Sequence, residues 1–434
     1  METNAGSAPK STMQHSGDRR VRSKIVALMV ALSAMSYINR TLMPVAAPTL
    51  IKHFHLSETQ MGSIFSAFIL SYAILMAPGG WLADRFGPRL VLGLLGGGTA
   101  VFTALTAVAG AASLAPYVGV FWCFLVVRLA LGACSAPLYP SCARMNANWV
   151  PITERAHVQG LIISGAPLGG AITPVLFAWL IARYGWQRSF FLAAAATAAL
   201  TVLWLRFVQD RPIGSSAPQT VAPPTRRMDA GAWSLFRNRS ILLLTAGYFA
   251  LNYFEYIFFY WMYYYFGEIR KVGASQSAIY TTVLLLVMMV MLPLGGWVSD
   301  RLTPRLGAIP ACRTVAVAGM VLSAVLLYVG TNIAAGLQML VLLSLALGLA
   351  ATAEGPFWAA LIDTGGSHVG VAGGIMNGIG NVGGLLAPML TPYIASRAGW
   401  SWGLYFGSFI VLAGAVTWFF VRPVSDTAGL VADQ

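Results

Sequence analysis

The chain has 434 residues, of which 57% are hydrophobic and only 9% are charged, and its formal net charge is +13. A soluble protein carries roughly 25% charged residues, and a chain of this length would form about three soluble domains. Such domains could not keep this much apolar surface away from water. The composition therefore excludes a soluble enzyme, a nucleic-acid-binding module and a disordered chain. It indicates a protein that crosses a membrane many times.

Apolar runs recur along the whole sequence, separated by short charged or Gly/Pro segments. Each run is long enough for a membrane-spanning helix, which needs about 20 mainly apolar residues. We predict an all-α membrane protein with twelve spans. They cover residues 25–51, 58–83, 89–112, 116–143, 156–182, 187–208, 240–267, 275–299, 311–330, 333–362, 369–396 and 401–421.

Three polar segments, 1–24, 209–239 and 422–434, divide these spans into bundles of six at 25–208 and 240–421. The apolar run after the first segment is too long for a signal peptide, so we expect an uncleaved first span.

Nineteen Lys and Arg residues lie on one side of the membrane and six on the other. Because basic residues favour the cytoplasmic side, we expect cytoplasmic tails and linker in a bacterial inner membrane. The basic excess indicates contact with anionic lipids rather than nucleic acid, and we expect a functional monomer.

Two motifs occur in both halves of the sequence. Residues 80–85 read GWLADR and residues 296–301 read GWVSDR, while a pattern of glycines, Pro, Arg and Gly-Trp at 169–186 returns at 383–400. Since each half has an even number of spans, both halves enter the membrane from the same side. This repetition is typical of transporters that rock two bundles around a site at the membrane midplane.

The run GWLADRFGPR at 80–89 resembles the loop between the second and third helices of the major facilitator superfamily. The resemblance implies twelve helices in two pseudo-symmetric six-helix bundles. It also implies a cytoplasmic gate, in which Asp84 would face the positive N-terminal end of the eleventh span, with Arg144 as a possible partner. Ordinary charged flanks of a span are the alternative. The residues of the expected gate are Gly80, Asp84, Arg85, Gly87, Arg144, Asp300 and Arg301.

Further motifs resemble the anion:cation symporter family, which includes carriers of hexuronates, aldonates, tartrate and phthalate. They are Tyr37-Ile38-Asn39-Arg40, Arg128, Trp149-Val150-Pro151, Glu154-Arg155-Ala156 and Asn377-Gly378-Ile379-Gly380-Asn381. Two positions depart from the family pattern. The family usually has an acid where this chain has Asn39, and often a glutamate where it has Ser135. Both positions are associated with proton coupling, so the resemblance does not carry the coupling site over.

Four charged residues lie inside predicted spans, at Arg40, Arg128, Glu255 and Glu354. A charge near the bilayer midplane costs at least about 2.5–3.5 kcal/mol and usually lines a cavity. Two arginines in the first half, with no acid in those spans, predict a positive wall that binds an anion. Pairing of these arginines with carbonyl groups or with the glutamates is the alternative. In the superfamily, spans 1, 4, 7 and 10 line the central cavity, so all four charges could surround one solute.

The four charges also suggest how a proton could be coupled to transport. When all four groups are ionised the cavity is formally neutral, and an entering carboxylate would leave it at minus one. Protonation of Glu255 or Glu354 would restore neutrality. We therefore expect proton symport with one of these glutamates as the coupling group. A glutamate locked to an arginine for structural reasons is the alternative.

Polar and aromatic residues complete the expected site. Tyr256 and Tyr260 share one helix face and serve either the cavity or packing, while Tyr263 to Tyr265 are expected to anchor the membrane interface. Asn377 and Asn381, one turn apart, could bind solute hydroxyls, and Gly355-Pro356 suggests a local break. Tyr72 matches a family position that faces the solute. The predicted substrate-binding residues are Arg40, Arg128, Tyr72, Tyr256, Tyr260, Trp358, Asn377 and Asn381.

The remaining sequence offers no catalytic, metal-binding or disulfide motif, and Gly96-Gly97-Gly98 lacks the Lys that follows in a phosphate-binding loop. We expect no cofactor, no metal and no enzymatic activity. The sequence predicts a secondary transporter of a small organic anion, such as a sugar acid or another carboxylate, coupled to protons. An uncoupled facilitator or an exchanger is the alternative, because both usual acids are missing.

Overall fold

The computed structural model describes residues 10–109, 119–150, 155–210, 237–365 and 369–421. All regular elements in these ranges are helical. The first half contains α1 (Lys10–Phe54), α2 (Glu58–Phe86), α3 (Pro88–Val108), α4 (Val120–Ser135), α5 (Leu138–Trp149), α6 (Arg155–Tyr184) and α7 (Trp186–Phe207). The second half contains α8 (Arg239–Tyr264), α9 (Ala274–Leu306), α10 (Ala308–Asn332), α11 (Leu337–Ala351), α12 (Glu354–Gly365), α13 (Val369–Ala398) and α14 (Trp400–Thr417). A π-helical turn, Tyr265–Ile269, extends α8, and a 3-10 turn, Trp418–Phe420, extends α14.

The helices confirm the predicted all-α membrane architecture. Among the described residues, eleven helical segments are long and apolar enough to cross a membrane. The remaining predicted span, 369–396, is occupied by the 30-residue helix α13. Helix α1 begins at Lys10, well before the predicted start of the first span. Residues 211–236 of the predicted linker, and residues 1–9 and 422–434 of the predicted tails, lie outside the described part of the chain.

Two spans are each built from two helices, and the breaks occur at equivalent places. The fourth span is divided between α4 and α5 at residues 136–137, and the tenth between α11 and α12 at 352–353. These breaks are separated by the same 216 residues that separate Trp81 from Trp297. The break expected at Gly355-Pro356 thus lies slightly earlier. Pro356 fits inside the first turn of α12, where its missing N–H leaves no helical hydrogen bond unmade.

The repeated glycines explain why the breaks can be packed tightly. A Cβ atom at Gly79 would lie 2.8 Å from the ring of Pro137, at the first break. A Cβ atom at Gly295, the equivalent position in the second half, would overlap the carbonyl oxygen of Thr352 at the second break. Small residues let helix backbones approach closely in a membrane. Each glycine therefore seats the second helix of its half against the broken helix.

The helices pack as two groups that meet mainly along three helix pairs. In the first half α1 packs on α6, α2 on α4 and α3 on α7; in the second, α8 packs on α13 and α14, and α10 on α11 and α14. The halves meet where α2 contacts α13, α6 contacts α9 and α1 contacts α8.

These contacts lie toward the face that carries the loops 55–57 and 270–273. Lys52 and Glu268 form a 2.8 Å salt bridge, and the Tyr264 hydroxyl donates to the Glu58 carboxylate. Ser66 donates to the Leu385 carbonyl at 2.6 Å. Along α2 these contacts end before Tyr72, where the lining of a cavity begins. The two halves are thus joined on one side of the cavity.

The expectation that Tyr263 to Tyr265 anchor the membrane interface is wrong. All three side chains are buried. The backbone carbonyl of Tyr263 accepts a hydrogen bond from Ser277, and Tyr264 contacts Glu58 of the other half. Tyr265 packs on Trp400 with ring centroids 6.3 Å apart. Tyr264 is thus buried where the two halves meet, while Tyr263 and Tyr265 are buried by contacts within the second half.

The packing of the second break predicts opposite effects for two adjacent glycines. Gly295→Ala should lower the melting temperature of the purified protein in detergent, since overpacking a tight contact costs about 1–3 kcal/mol. Gly296→Ala is the matched control, because nothing lies within 4 Å of a Cβ atom at this position. It should leave the melting temperature unchanged or raise it, as alanine favours a helix by about 1 kcal/mol over glycine. Equal shifts for both variants would contradict this account of the break.

Candidate functional site

A cavity of about 310 Å³ lies between the two halves and is lined by residues from both. The first half contributes α1, α2, α5 and α6, and the second contributes α8, α9, α12 and α13. Apolar side chains such as Met76, Met288 and Leu292 form part of the wall. The polar and aromatic residues of the lining are Tyr37, Arg40, Tyr72, Tyr139, Tyr248, Asn252, Glu255, Tyr256, Phe259, Glu354, Asn377 and Asn381.

Arg40 brings a positive charge to this wall. Its side chain is 8% exposed, and its Nε donates to the Tyr260 hydroxyl at 3.1 Å. The guanidinium carbon lies 5.0 Å from the ring centre of Tyr256 and 5.2 Å from that of Tyr37, so aromatic faces surround the cation. Within the described ranges no carboxylate forms a salt bridge with Arg40. The charge is therefore held by aromatic contacts and remains available to an anion in the cavity.

Arg128 does not lie on the cavity wall, although the sequence predicted that both arginines would. It is 1% exposed and does not line the cavity. Its Nη2 donates to the carbonyl of Arg40 at 3.1 Å, and its Nη1 lies 3.4 Å from the carbonyl of Asn39. The guanidinium also lies 4.9 Å from the Phe68 ring centre. The structure thus has the carbonyl pairing that the sequence left as the alternative, and only Arg40 reaches the cavity.

Pro44 supplies the physical reason for the position of Arg128. In a helix the carbonyl of Arg40 would accept from the N–H of residue 44, but proline has no N–H. A carbonyl without a donor inside a membrane costs several kcal/mol. The guanidinium of Arg128 takes the place of the missing donor. It therefore stabilises the stretch of α1 that carries Arg40.

Two carboxyl groups line the same cavity from the second half. Glu255 on α8 is 3% exposed, and its Oε1 is buried without a hydrogen-bond partner among the described residues. Glu354, in the first turn of α12, accepts a 3.0 Å hydrogen bond at Oε2 from the Tyr248 hydroxyl. The N-terminal end of α12 favours a carboxylate at this position. Both predicted coupling candidates thus reach the cavity, and neither forms a salt bridge with an arginine in the described part of the chain.

The other predicted binding residues divide into two groups. Tyr72, Tyr256, Asn377 and Asn381 line the cavity. The Tyr256 hydroxyl donates to the Asn381 side-chain oxygen at 3.2 Å, and the Asn381 amide donates to the Asn377 carbonyl at 2.9 Å.

Tyr260 and Trp358 are not part of the lining. Tyr260 supports the guanidinium of Arg40, and Trp358 packs edge-on against Tyr248 with ring centroids 6.2 Å apart. Both act on groups that line the cavity rather than lining it themselves.

The two positions that usually carry acids in the similar family belong to a neutral network inside the first half. Asn39 donates to the Met35 carbonyl at 2.8 Å and to the Thr197 hydroxyl at 2.9 Å, and it accepts from Thr103 at 2.8 Å. Ser135 donates to the Leu131 carbonyl at 2.8 Å. An amide and a hydroxyl group do not titrate near neutral pH, so neither position offers a group that takes up or releases a proton.

The residues of the expected gate lie near the ends of α2 and α9, except for Arg144, which lies on α5. Arg85 stacks on Trp81 at 5.3 Å, and Arg301 stacks on Trp297 at 4.7 Å, so the repeated motif has the same internal contact in both halves. The side chain of Asp84 lies outside the described part of the structure.

Four more gate residues are described. Gly87 has φ +88°, which favours glycine, and a Cβ atom there would crowd the carboxylate of Asp210, which accepts from the Arg89 N–H. Gly80 lies against Pro140, and Asp300 is exposed. Arg144 is partly buried. Closure between the two halves at these positions stays a prediction.

Sequence reasoning missed several residues of the lining, among them Tyr139, Tyr248 and Asn252. A signal was present for those on α8. The residues of α8 that line the cavity are Tyr248, Asn252, Glu255, Tyr256 and Phe259. Their spacing is that of one helix face. Of the two tyrosines that the sequence analysis placed on one face of this helix, Tyr256 and Tyr260, only Tyr256 lines the cavity.

Comparison with known families agrees with this architecture. The profile of the Major Facilitator Superfamily matches residues 28–312, and that of the Sugar (and other) transporter family matches residues 224–426. The chain is 30% identical to the probable sulfoacetate transporter SauU of Cupriavidus necator, over 93% of this chain and 95% of that one. It is 29% identical to the hexuronate transporter of Bacillus subtilis, over 94% and 97%. It is 24% identical to the D-galactonate transporter of Escherichia coli, over 93% and 95%.

Solved structures with a similar fold are also transporters. A bacterial homologue of the human lysosomal transporter Spinster, in an inward-facing and unoccupied conformation, matches with a TM-score of 0.78 at 16% identity, over 92% of this chain and 97% of that one. The D-xylose-proton symporter matches with a TM-score of 0.69 at 15% identity, over 92% and 98%. At such identities the likeness concerns the fold alone.

The neutral network around Asn39 gives a prediction for the acid that the similar family usually has there. Asn39→Asp should destabilise the protein, because an ionised carboxylate would face the Met35 carbonyl that now accepts from the amide. The expected loss is about 1–3 kcal/mol, and it should shrink in acid, where the new carboxyl group is protonated. Thermal melting in detergent between pH 5 and pH 8, about the range over which proteins are most stable, measures this.

Asn332→Asp is the matched control for that variant. Asn332 also donates to the carbonyl four residues earlier, that of Tyr328, but its side chain is exposed. Water can solvate the new carboxylate, so this variant should melt like the parent protein at every pH. Equal destabilisation of both variants would contradict the importance of burial.

Proposed function

The chain belongs to the Major Facilitator Superfamily, and from this premise we propose that it carries a small organic anion across the membrane together with a proton. It is a multi-pass membrane transporter related to carriers of sugar acids and other organic anions. The proposed solute is a sugar acid or another carboxylate. The proposed mechanism is alternating access, in which the two halves rock around the cavity.

The position of Arg40 carries this proposal. A guanidinium group stays protonated and offers a planar set of donors that matches a carboxylate. At Arg40 this group lies on the wall of a cavity of about 310 Å³ between the halves, without a carboxylate partner in the described residues. An anionic solute would supply the missing negative charge. The names of the similar transporters, which refer to hexuronate, galactonate and sulfoacetate, support an organic anion as that solute.

The two glutamates support proton coupling. With Arg40 charged and both glutamates ionised, the cavity lining carries a formal charge of minus one, which opposes the entry of an anion. One proton on Glu255 or Glu354 makes the lining neutral and favours binding. Arg128, behind the wall, adds positive charge at a greater depth. We therefore place the coupling proton on the second half of the protein, because Asn39 and Ser135 cannot carry it.

The contacts between the halves fit one state of an alternating-access cycle. Lys52–Glu268, Tyr264–Glu58 and Ser66–Leu385 join the halves on the side of loops 55–57 and 270–273. By the distribution of basic residues this side is extracellular. The cavity would then open toward the cytoplasm, and release of the solute and the proton there would allow the halves to rock back.

An uncoupled facilitator or an exchanger is the second candidate. The neutral hydrogen bonds at Asn39 and Ser135 favour it, since the usual sites of proton transfer are absent from the first half. The two candidates differ in one property: only a coupled transporter accumulates its solute against a gradient.

Arg40→Ala should abolish most transport. Uptake of labelled D-galactonate or D-glucuronate into proteoliposomes should fall by about tenfold or more, because hydrogen bonds to charged groups contribute about 1.5–3 kcal/mol. Arg183→Ala, which removes an exposed arginine, serves as the control and should leave uptake unchanged. If the two variants retain equal uptake, the proposed anion site is wrong.

The coupling is tested with Glu255→Gln and Glu354→Gln. At least one of them should lose accumulation driven by a pH gradient but keep counterflow exchange, because a neutral amide binds solute without cycling a proton. Asp363→Asn, an exposed carboxylate on α12, is the control and should keep both activities. Accumulation that survives in both glutamate variants would show that neither glutamate is the coupling group. A parent protein that exchanges solute but does not accumulate it would favour the facilitator.

A further inference from the structure

The polar groups of the cavity are divided unequally between the two halves. The first half contributes the cation Arg40 with tyrosines at 37, 72 and 139. The second half contributes both carboxyl groups and three asparagine amides, at positions 252, 377 and 381. A solute that touches both walls therefore meets a positive charge at one end and acidic and amide groups at the other.

Glu255, on the wall formed by the second half, has a carboxyl oxygen without a hydrogen-bond partner among the described residues. Its side chain is 97% buried, since only 3% is exposed, and its Oε1 has no hydrogen-bond donor among the described residues. Glu354 differs, because the Tyr248 hydroxyl already donates to it. Buried polar atoms in proteins are almost always hydrogen-bonded. An orphaned acceptor on a cavity wall indicates that the solute brings the donor.

We infer that the solute is a monocarboxylate with hydroxyl groups at its far end, and that Glu255 selects for it. This inference rests on the proposed function and specifies its substrate class. The carboxylate of the solute binds Arg40, while a hydroxyl group donates to Oε1 of Glu255. The asparagine amides suit the remaining hydroxyls, since an amide both donates and accepts, as a hydroxyl does. An ammonium group, which only donates, cannot accept a hydrogen bond from any of these amides.

The same wall excludes solutes with a second negative charge. A dicarboxylate that binds Arg40 at one end would place its other carboxylate beside Glu255 and Glu354. One coupling proton on this pair still leaves one negative charge at the wall. Like charges at close range in a site of low dielectric repel strongly. Specificity then arises from repulsion of the wrong solute as much as from attraction of the right one.

Ligands with a six-carbon chain test this inference on the purified full-length protein. D-Gluconate and D-galactonate are hydroxylated monocarboxylates, D-glucarate and galactarate carry a second carboxylate, and hexanoate lacks the hydroxyls. Binding at one pH, measured by thermal shift and by calorimetry, should be tightest for the aldonates. The dicarboxylates and hexanoate should bind at least about tenfold more weakly, which corresponds to about 1.4 kcal/mol.

Glu255→Gln should reduce the preference for aldonates over aldarates by about tenfold, equivalent to about 1.4 kcal/mol, because the amide no longer repels a carboxylate. Glu354→Gln should act in the same direction and serves as the second variant if the first does not fold. Asp363→Asn should keep the preference of the parent. Equal binding of aldonates and aldarates, or of hexanoate and aldonates, by the parent protein overturns the inference.

The failure of the inference can be told apart from the failure of the proposed function. Arg40→Ala should lose binding of every anion in the panel. If it does so while aldarates bind the parent as tightly as aldonates, the anion site stands and the selection by Glu255 is wrong. If no anion binds the parent, or if Arg40→Ala changes nothing, both are wrong.

Discussion

The structure depends on one hydrogen bond to α1, in which a side chain replaces a missing backbone N–H donor. Pro44 takes away the N–H that the Arg40 carbonyl would normally receive, and the guanidinium of Arg128 replaces it at 3.1 Å. An arginine inside a membrane is expensive unless it is paired or faces a cavity. Arg128 meets the first condition and Arg40 the second. The two arginines that look alike in the sequence thus have different tasks: one holds the helix, and the other offers its charge to the cavity.

The duplication of the chain explains how such a site can sit between two moving parts. In each half, a glycine of the second span packs against the break in the fourth span of that half. Gly79 packs against Pro137 in the first half, and Gly295 packs against Thr352 in the second. Each half is therefore packed tightly within itself. Apart from the Arg40–Tyr260 hydrogen bond at the cavity wall, three polar contacts described between the halves, Lys52–Glu268, Tyr264–Glu58 and Ser66–Leu385, lie to one side of the cavity. Rearrangement of the halves can then break contacts at the surface between them without disturbing the packing inside.

Much of the fold could be predicted from the sequence, because apolar run length and repetition are local properties that any span retains. The cavity was predicted in part. Arg40, Glu255 and Glu354 were identified because a charge in an apolar run is conspicuous. The position of Arg128 depends on the rotation of α4 against α1, which the sequence does not specify. Pro44, four residues after Arg40, did indicate that the Arg40 carbonyl would need a donor from outside α1. The side of α8 that faces the cavity was predicted wrongly for the same reason. Helical spacing shows which residues share a face, but it does not show where that face points.

The central claim is that the charge of Arg40 recognises the charge of the solute. Calorimetry can test it as a cycle of two changes, Arg40→Gln in the protein and carboxylate to uncharged amide in the ligand, with D-galactonate and D-galactonamide as the pair. The cycle isolates the interaction between the two charges from all other effects of each change. The account predicts that the parent protein binds the anion more tightly than the amide, by about 2 kcal/mol or more, and that the variant has lost this preference. A variant that still prefers the anion by the same factor would contradict it.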